Sequence, residues 1–227
     1  MFVAIEGIDG SGKSTLIRNL LSAADYNTKI AFATPTMLTA DGRRFRKIKN
    51  DKTLMAKTPV KTNLQILLGD MEKTTEIFAP AITRNLNDLL IVADRWFLAS
   101  IAYQAVNATV ESPMITMHDA MVEFYRYFCD SNGCPSVLVP DVCIILDGEI
   151  KTFQKRLEGR AKTPTDLLIE RQECYREAFK HFVNNHAQII KEAGCGAFDA
   201  KTNYVMLKAD TTNAEDILCT TLKLLEV

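Results

Sequence analysis

The segment with the clearest capacity for chemistry spans residues 7–14 and reads GIDGSGKS. It fits the phosphate-binding pattern G-x-x-x-x-G-K-[ST] at every fixed position. Glycines let successive backbone N–H groups point at phosphate oxygens, and the N-terminus of the following helix adds positive charge. In such a loop the lysine contacts the β- and γ-phosphates and the hydroxyl after it ligates magnesium. We therefore expect ATP and Mg²⁺ as ligands, with ATP bound by Gly7, Asp9, Gly10, Ser11, Gly12, Lys13, Ser14 and Thr15.

A second candidate is the pair Asp94-Arg95, which directly follows the apolar run Leu89–Ala93. A carboxylate at the carboxyl end of a buried strand lies where open α/β sheets bind ligands. Asp94 could hold magnesium there together with Ser14, and the Arg95 guanidinium could grip a phosphate with two hydrogen bonds. A salt bridge that ends the strand is the alternative interpretation, and the nearby phosphate loop favours the functional one.

Five short apolar runs, at residues 2–5, 30–33, 89–93, 142–146 and 204–207, have the length of strands buried on both faces. Helical patterns lie between them, so the chain predicts an α/β fold with a five-stranded parallel sheet flanked by helices. We expect one P-loop domain over residues 1–227, a three-layer sandwich of the P-loop NTPase class. Two segments are interpreted as mobile loops: the basic stretch 41–61 and the stretch 158–164.

Composition limits the partners. The net charge is -1, so no overall basic field favours DNA or RNA. No apolar run reaches the ~18 residues of a membrane span. The six cysteines form no C-x-x-C pair, which favours reduced thiols and a cytoplasmic location.

A P-loop alone leaves several activities open. A switch GTPase would carry an N-K-x-D segment, and this sequence has none. A motor ATPase would end its third strand in Asp-Glu, whereas here the run ends in Asp94-Arg95. A kinase of small molecules is therefore favoured.

The motifs carry a family resemblance. Residues 2–15, FVAIEGIDGSGKST, resemble the opening of thymidylate kinases. Asp94-Arg95-Trp96 with the later Ser100 and Ala102-Tyr103-Gln104 is similar to that family's Asp-Arg segment, and Pro140-Asp141 before an apolar run is similar to its fourth strand. The resemblance covers most of the chain and is weakest at residues 33–80.

The resemblance implies roles for matched positions. Asp9 would bind the sugar 3′-hydroxyl of the acceptor, Arg95 its phosphate, and Tyr103 would exclude a 2′-hydroxyl. Ser100 and Gln104 would lie near the base. The catalytic set would be Lys13, Arg95, Asp9, Arg156 and Arg160, the last two on a mobile lid at about residues 156–166. A homodimer is also implied.

Two positions depart from the family pattern. After the second strand the sequence is Ala33-Thr34-Pro35-Thr36, where the family usually has an Arg-Glu-Pro run. On the long helix, the family's base-stacking aromatic and base-binding arginine align with Ile66 and Asp70. A carboxylate only accepts hydrogen bonds, so we hypothesise an acceptor base bearing a donor, such as dCMP or 5-hydroxymethyl-dUMP. The alternative is a misalignment of one turn, with Asp70 on a solvated face.

The activity predicted from the sequence is transfer of the ATP γ-phosphoryl group to a deoxypyrimidine monophosphate, most simply dTMP to dTDP. One rival is a deoxynucleoside kinase, which would need a general base near the 5′-oxygen. Another is a non-catalytic nucleotide-binding protein. Turnover of ATP that depends on an added monophosphate would separate them.

Overall fold

The computed structural model describes residues 1–84, 88–130, 132–158, 169–196 and 202–225, with the side chains of residues 169 and 170 left undescribed. Most of the predicted lid, with Arg160, lies outside the described residues. The elements in chain order are β1 Phe2–Glu6, α1 Lys13–Ala23, β2 Thr28–Ala33, α2 Ala40–Asn50, α3 Lys52–Lys57, α4 Val60–Arg84, β3 Leu89–Asp94, α5 Phe97–Glu111, α6 Met117–Arg126, β4 Val142–Asp147, α7 Ile150–Leu157, α8 Ile169–Ala193, β5 Asn203–Lys208 and α9 Ala214–Leu224.

The sheet confirms the predicted fold class. Five strands run in the order β2-β3-β1-β4-β5, and every neighbouring pair is parallel. Val3 of β1 is paired with Val92 on one side and Val142 on the other, so β1 lies at the centre. All carboxyl ends therefore lie along one edge, where a doubly wound sheet binds its ligands.

Burial explains why the strands were visible in the sequence. β1, β3 and β4 are buried at nearly every residue, because helices cover both faces of a parallel sheet. Trp96, at the end of β3, packs edge-on against Phe2 and Phe32. Its indole N–H donates to the carbonyl of Leu138 at 2.7 Å. The turn after β3 is therefore fixed in the core.

The basic stretch 41–61 is not a loop, which corrects the sequence-based expectation. It forms α2 and α3, and the Thr39 hydroxyl caps α2 by accepting from the backbone N–H of Gly42 at 2.8 Å. Phe45 and Ile48 are three residues apart, so they share one face of α2 and pack together against α4. The charged residues between them conceal this short apolar stripe.

The cysteines also differ from expectation. Cys129 and Cys195 form a disulfide with Cα atoms 6.1 Å apart and 66 residues of sequence separation, joining the segment after α6 to the end of α8. Cys143 is buried and free, while Cys134, Cys174 and Cys219 are exposed and free. In the described ranges, no helix combines the length and apolar character that crossing a membrane requires.

Candidate functional site

The phosphate loop connects the central strand β1 to α1. Three of its glycines have positive φ: 131° at Gly7, 82° at Gly10 and 102° at Gly12. Gly12 directly precedes α1, so the loop delivers the positive end of that helix to the carboxyl edge of the sheet. Side chains are strained in these conformations, which explains the glycines.

Lys13 is held against the loop itself. Its buried ammonium donates to the carbonyl oxygens of Gly7 at 3.0 Å and Ile8 at 2.9 Å. Burial, and next the nearby Arg95, lower the pKa of Lys13 from its ordinary 10.5 to about 8. A bound phosphate would restore the favourable environment for its charge, so this lysine is poised to move onto an anion.

A large cavity lies over this loop and has a volume of about 570 Å³. It is lined by five cationic side chains, Lys13, Arg18, Lys49, Arg95 and Arg156, against two acidic ones, Asp9 and Asp94. The chain as a whole carries a charge of -1. Positive charge is thus concentrated at the site, as a polyphosphate ligand requires.

Arg95 has an unusual backbone. Its φ is 69°, a left-handed conformation that is rare outside glycine, and its N–H donates to the carbonyl of Ile5 at 3.0 Å. The guanidinium pairs with the carboxylate of Asp9 and lies over the ring of Tyr103, 5.5 Å from its centroid. Such strain persists only where the surroundings fix it, and here it aims the arginine at the phosphate loop.

Glu6 is the residue that fixes this turn. Its carboxylate is fully buried, and Oε1 accepts from the backbone N–H of Trp96 at 2.9 Å and of Ala99 at 3.3 Å. Glu6 therefore supplies the cap that Trp96 does not give to α5. Burial raises the pKa of Glu6 to about 7, despite those two hydrogen bonds and the nearby Arg95 and Lys13. Sequence analysis missed this role, although an acidic residue ending a buried strand is an available signal.

A second, smaller cavity opens beside the phosphate loop. Its walls come from the phosphate loop, the turn after β3, and the helices α2, α3, α5 and α8. They consist of Asp9, Phe45, Lys49, Met55, Arg95, Tyr103, Gln104, Asn107, Gln172 and Tyr175. The ring of Tyr103 packs edge-on against Tyr175, with centroids 4.3 Å apart. In the described structure, the buried side-chain oxygen of Gln104 has no hydrogen-bond partner. The cavity has a volume of about 70 Å³. Its aromatic walls and the unsatisfied amide oxygen suit the edge of a base, and a whole nucleoside would require the cavity to widen.

Asp70 does something other than the sequence-based hypothesis proposed. It is fully buried on α4, and its carboxylate accepts from the backbone N–H of Thr36 at 2.8 Å and the Thr36 hydroxyl at 2.6 Å. It also accepts from the hydroxyl of Thr39, the residue that caps α2. Asp70 lines neither cavity. The corrected assignment is that this carboxylate anchors the loop after β2, and neither base recognition nor a solvated surface position fits it.

Two other predicted substrate residues also lie behind the cavity walls. Ile66 is buried in a cluster with Phe45, Ile48 and Leu67. Ser100 is buried in α5, where its hydroxyl donates to the carbonyl of Trp96 at 3.4 Å. Neither lines the second cavity. Phe45 and Met55 supply the apolar side chains from α2 and α3 that line this cavity.

Arg156 is the described member of the predicted lid pair. It ends α7 and donates to the carbonyl of Ala209 at 2.7 Å, while its guanidinium lies 5.3 Å from the Phe153 ring centroid. It lines both the large cavity and a third cavity of about 230 Å³ between the phosphate loop and α9. Arg156 thus connects the phosphate region to the side where the rest of a nucleotide would extend.

The oxygen donors fit a magnesium ion. Ser14 and Asp94 both line the large cavity beside Lys13. Hydroxyl and carboxylate oxygens are ligands that Mg²⁺ prefers, and it usually completes its shell with phosphate oxygens and water. Within the described ranges, no three His, Cys, Asp or Glu side chains converge to form a metal cage.

Comparisons with known proteins identify the family and the fold. Residues 5–194 match the family model for thymidylate kinase, a range that includes the phosphate loop and the Asp94-Arg95 turn. A probable thymidylate kinase of Methanococcus aeolicus is 27% identical, covering 95% of this chain and 91% of that protein. One from Thermococcus onnurineus is 26% identical, covering 79% and 82%. The solved structure of thymidylate kinase from Candida albicans shares the fold, with a TM-score of 0.73 at 16% identity, covering 99% of this chain and 90% of that one.

Proposed function

The chain belongs to the thymidylate kinase family, and we propose that it transfers the γ-phosphoryl group of ATP to the phosphate of dTMP. The observation that carries the proposal is the meeting of two cavities. The large cavity is lined by the phosphate loop, and the small one by aromatic and amide side chains. Arg95 and Asp9 line both cavities. A donor triphosphate and an acceptor monophosphate would face each other across these two side chains.

The reaction forms one bond and breaks one. A phosphate oxygen of dTMP attacks the γ-phosphorus of ATP in line, the bond from that phosphorus to the β-bridging oxygen breaks, and ADP leaves. The attacking oxygen is already an anion at neutral pH, so no protein base is needed. Catalysis is positioning plus neutralisation of charge by Lys13, Arg95 and Arg156. Magnesium held by Ser14 and Asp94 would add positive charge at the donor phosphates.

The acceptor would lie along α5. Tyr103 is fixed by Arg95, Tyr175 and Phe179, and its hydroxyl donates to the carbonyl of Gly7 at 3.4 Å. A ring held on three sides cannot give way to a 2′-hydroxyl, which supports a deoxyribose preference. Gln104 can both donate and accept, so its amide suits a pyrimidine edge.

The charged side chains where the two cavities meet argue against a nucleoside kinase. Such an enzyme needs a general base beside the 5′-hydroxyl. The carboxylate at the junction belongs to Asp9, and it is paired with Arg95. A carboxylate engaged with a guanidinium is a poor base, whereas the surrounding cations favour a phosphate.

ADP release with ATP and magnesium tests the proposal, using dTMP, dUMP, dCMP, 5-hydroxymethyl-dUMP, dGMP, dAMP and thymidine as acceptors. We expect the highest rate with dTMP. The Lys13→Met variant should lose at least about 100-fold, while Lys151→Met, which changes an exposed lysine on α7, should not. Turnover with thymidine alone would indicate a nucleoside kinase. Binding of ATP without turnover on any acceptor would indicate a non-catalytic protein.

The family resemblance also predicts a homodimer, and the cysteine pattern of the sequence predicts a cytoplasmic location. Both stay predictions, and sedimentation at several concentrations would measure the first.

A further inference from the structure

A third side chain lines both the large cavity and the smaller one. The large cavity and the smaller acceptor cavity share Asp9, Arg95 and also Lys49, the penultimate residue of α2. A phosphoryl group passing from donor to acceptor must cross this shared boundary. The three side chains therefore surround the position where the acceptor phosphate meets the donor.

The charges at this boundary favour a role for Lys49. Asp9 and Arg95 form an ion pair whose side chains are 29% and 16% exposed, so the two contribute no net charge together. Lys49 adds a second cationic side chain to this boundary. A phosphate monoester carries about two negative charges at neutral pH, so the lysine makes the boundary attractive to it.

The local fold explains how α2 brings Lys49 there. Phe45 lies four residues earlier, on the same side of the helix, and lines the same acceptor cavity. Ile48 completes the apolar stripe that packs α2 with α4. The other end of the helix is fixed by Thr39 and Asp70. Lys49 is thus placed by a helix anchored at both ends.

The neighbouring basic side chains do not line the two cavities. Arg43 donates to the carbonyls of Met37 and Leu38, and the Arg46 Nε donates to the carbonyl of Pro35 at 2.8 Å. These arginines hold the loop after β2, which has no basic residue of its own between positions 34 and 39. Arg44 and Lys47 are exposed. Of the basic residues at 43–49, all of them within the described range, only Lys49 lines the cavities.

We propose that Lys49 binds the phosphate of the acceptor monophosphate together with Arg95, and so is a substrate-binding residue of the transfer site. The assignment rests on the proposed function for the identity of the acceptor. It explains how this chain can lack the family's usual charged run after the second strand. The loop after β2 leads into α2, and Lys49 on that helix would supply the positive charge instead. The basic stretch then has one residue with a direct role and two that support the loop.

The test separates the phosphate from the rest of the nucleotide. The dissociation constants of dTMP and of thymidine are measured without ATP for the wild type, Lys49→Met and Lys49→Arg. Loss of a charge-assisted hydrogen bond should weaken dTMP binding about 10- to 100-fold in the methionine variant. Thymidine binding should change less than about twofold, since thymidine has no phosphate. The arginine variant should recover most of the affinity for dTMP.

Lys47→Met is the matched control, because it removes an exposed lysine two residues away on the same helix. It should leave both dissociation constants unchanged. Equal weakening of dTMP and thymidine by Lys49→Met would overturn the proposal, since it would indicate a displaced helix. Unchanged dTMP binding would overturn it as well. Wild-type turnover on dTMP is measured separately, so failure of the kinase activity and failure of the Lys49 assignment give different results.

Discussion

Replacing Asp70 with alanine should destabilise the protein by about 3 to 5 kcal/mol. The carboxylate accepts three hydrogen bonds, from the N–H and hydroxyl of Thr36 and the hydroxyl of Thr39. Each buried donor left unsatisfied costs about 1 to 3 kcal/mol. Hydroxyls can rotate toward other acceptors, whereas the backbone N–H cannot, which places the sum near the lower end. For a chain of this length the loss corresponds to roughly 10 °C in melting temperature.

The Asp70→Asn variant should lose less stability than Asp70→Ala. An amide keeps one oxygen for the Thr36 N–H and can donate its NH₂ to a hydroxyl, but the Thr39 oxygen already accepts from Gly42. We expect a cost of about 1 to 2 kcal/mol, between wild type and alanine. Glu76→Gln on the same helix is the control. Glu76 pairs only with exposed Lys73 among the contacts described, and such surface pairs contribute less than about 1 kcal/mol.

Differential scanning calorimetry measures the stabilities, and the monophosphate panel measures base preference for the same proteins. We expect the order of preference to stay unchanged in Asp70→Asn, while the KM for the acceptor rises because α2 carries Phe45 and Lys49. A tenfold change in the ratio of dCMP to dTMP turnover at unchanged melting temperature would refute the anchoring role. That result would restore the hypothesis that the carboxylate contacts the base.

Three further predictions concern the pH dependence of stability and the two nucleotide sites. Burial raises the pKa of Glu6 from 4.5 to about 7, so the folded protein binds the carboxyl proton more tightly than the unfolded protein does. The free energy of unfolding should therefore fall by up to about 3 kcal/mol as pH rises from 4.5 to 7. Glu6→Gln keeps the cap oxygen without the ionisation, so its melting temperature relative to wild type should rise between pH 5 and pH 8; a pH-independent difference would contradict this. Arg156→Met should raise the KM for ATP by about tenfold and leave the KM for dTMP unchanged, with Lys155→Met, at an exposed residue, as the control. A larger effect on the KM for dTMP would mean that Arg156 contacts the acceptor instead of ATP. Tyr103→Ala should reduce discrimination against the ribonucleotide by about tenfold, measured as the ratio of kcat/KM values, and an unchanged ratio would remove Tyr103 from sugar selection.

The strands and the phosphate loop were predictable because their signals are local. All five predicted strands lie within those observed. The expectation that each is buried on both faces holds for β1, β3 and β4, whereas the edge strands β2 and β5 are only partly buried. The loop glycines and Lys13 carry a fixed spacing that the turn itself requires. The place of Arg95 in the site was predictable, but its backbone conformation was not, because no sequence pattern indicates a φ of 69°.

The remaining features depend on distant pairings. Asp70 meets Thr36 across 34 residues and Glu6 meets Trp96 across 90, so neither role follows from spacing along the chain. The helix α2 was hidden for a different reason. Its apolar face is only Phe45 and Ile48, and the basic residues around them dominate the local composition.

The disulfide between Cys129 and Cys195 changes what a protease could do to this molecule. The bond closes a covalent ring with a sequence separation of 66 residues, and the ring includes β4, α7 and α8. The exposed residues Lys151 and Lys155 on α7 lie within this ring, and trypsin cleaves after lysine. A single cut there would open the ring without releasing a fragment, so the two pieces would separate on a gel only after reduction. The oxidised protein would thus keep β5 and α9 attached to the phosphate loop after cleavage, and a nicked chain could still present a complete donor site.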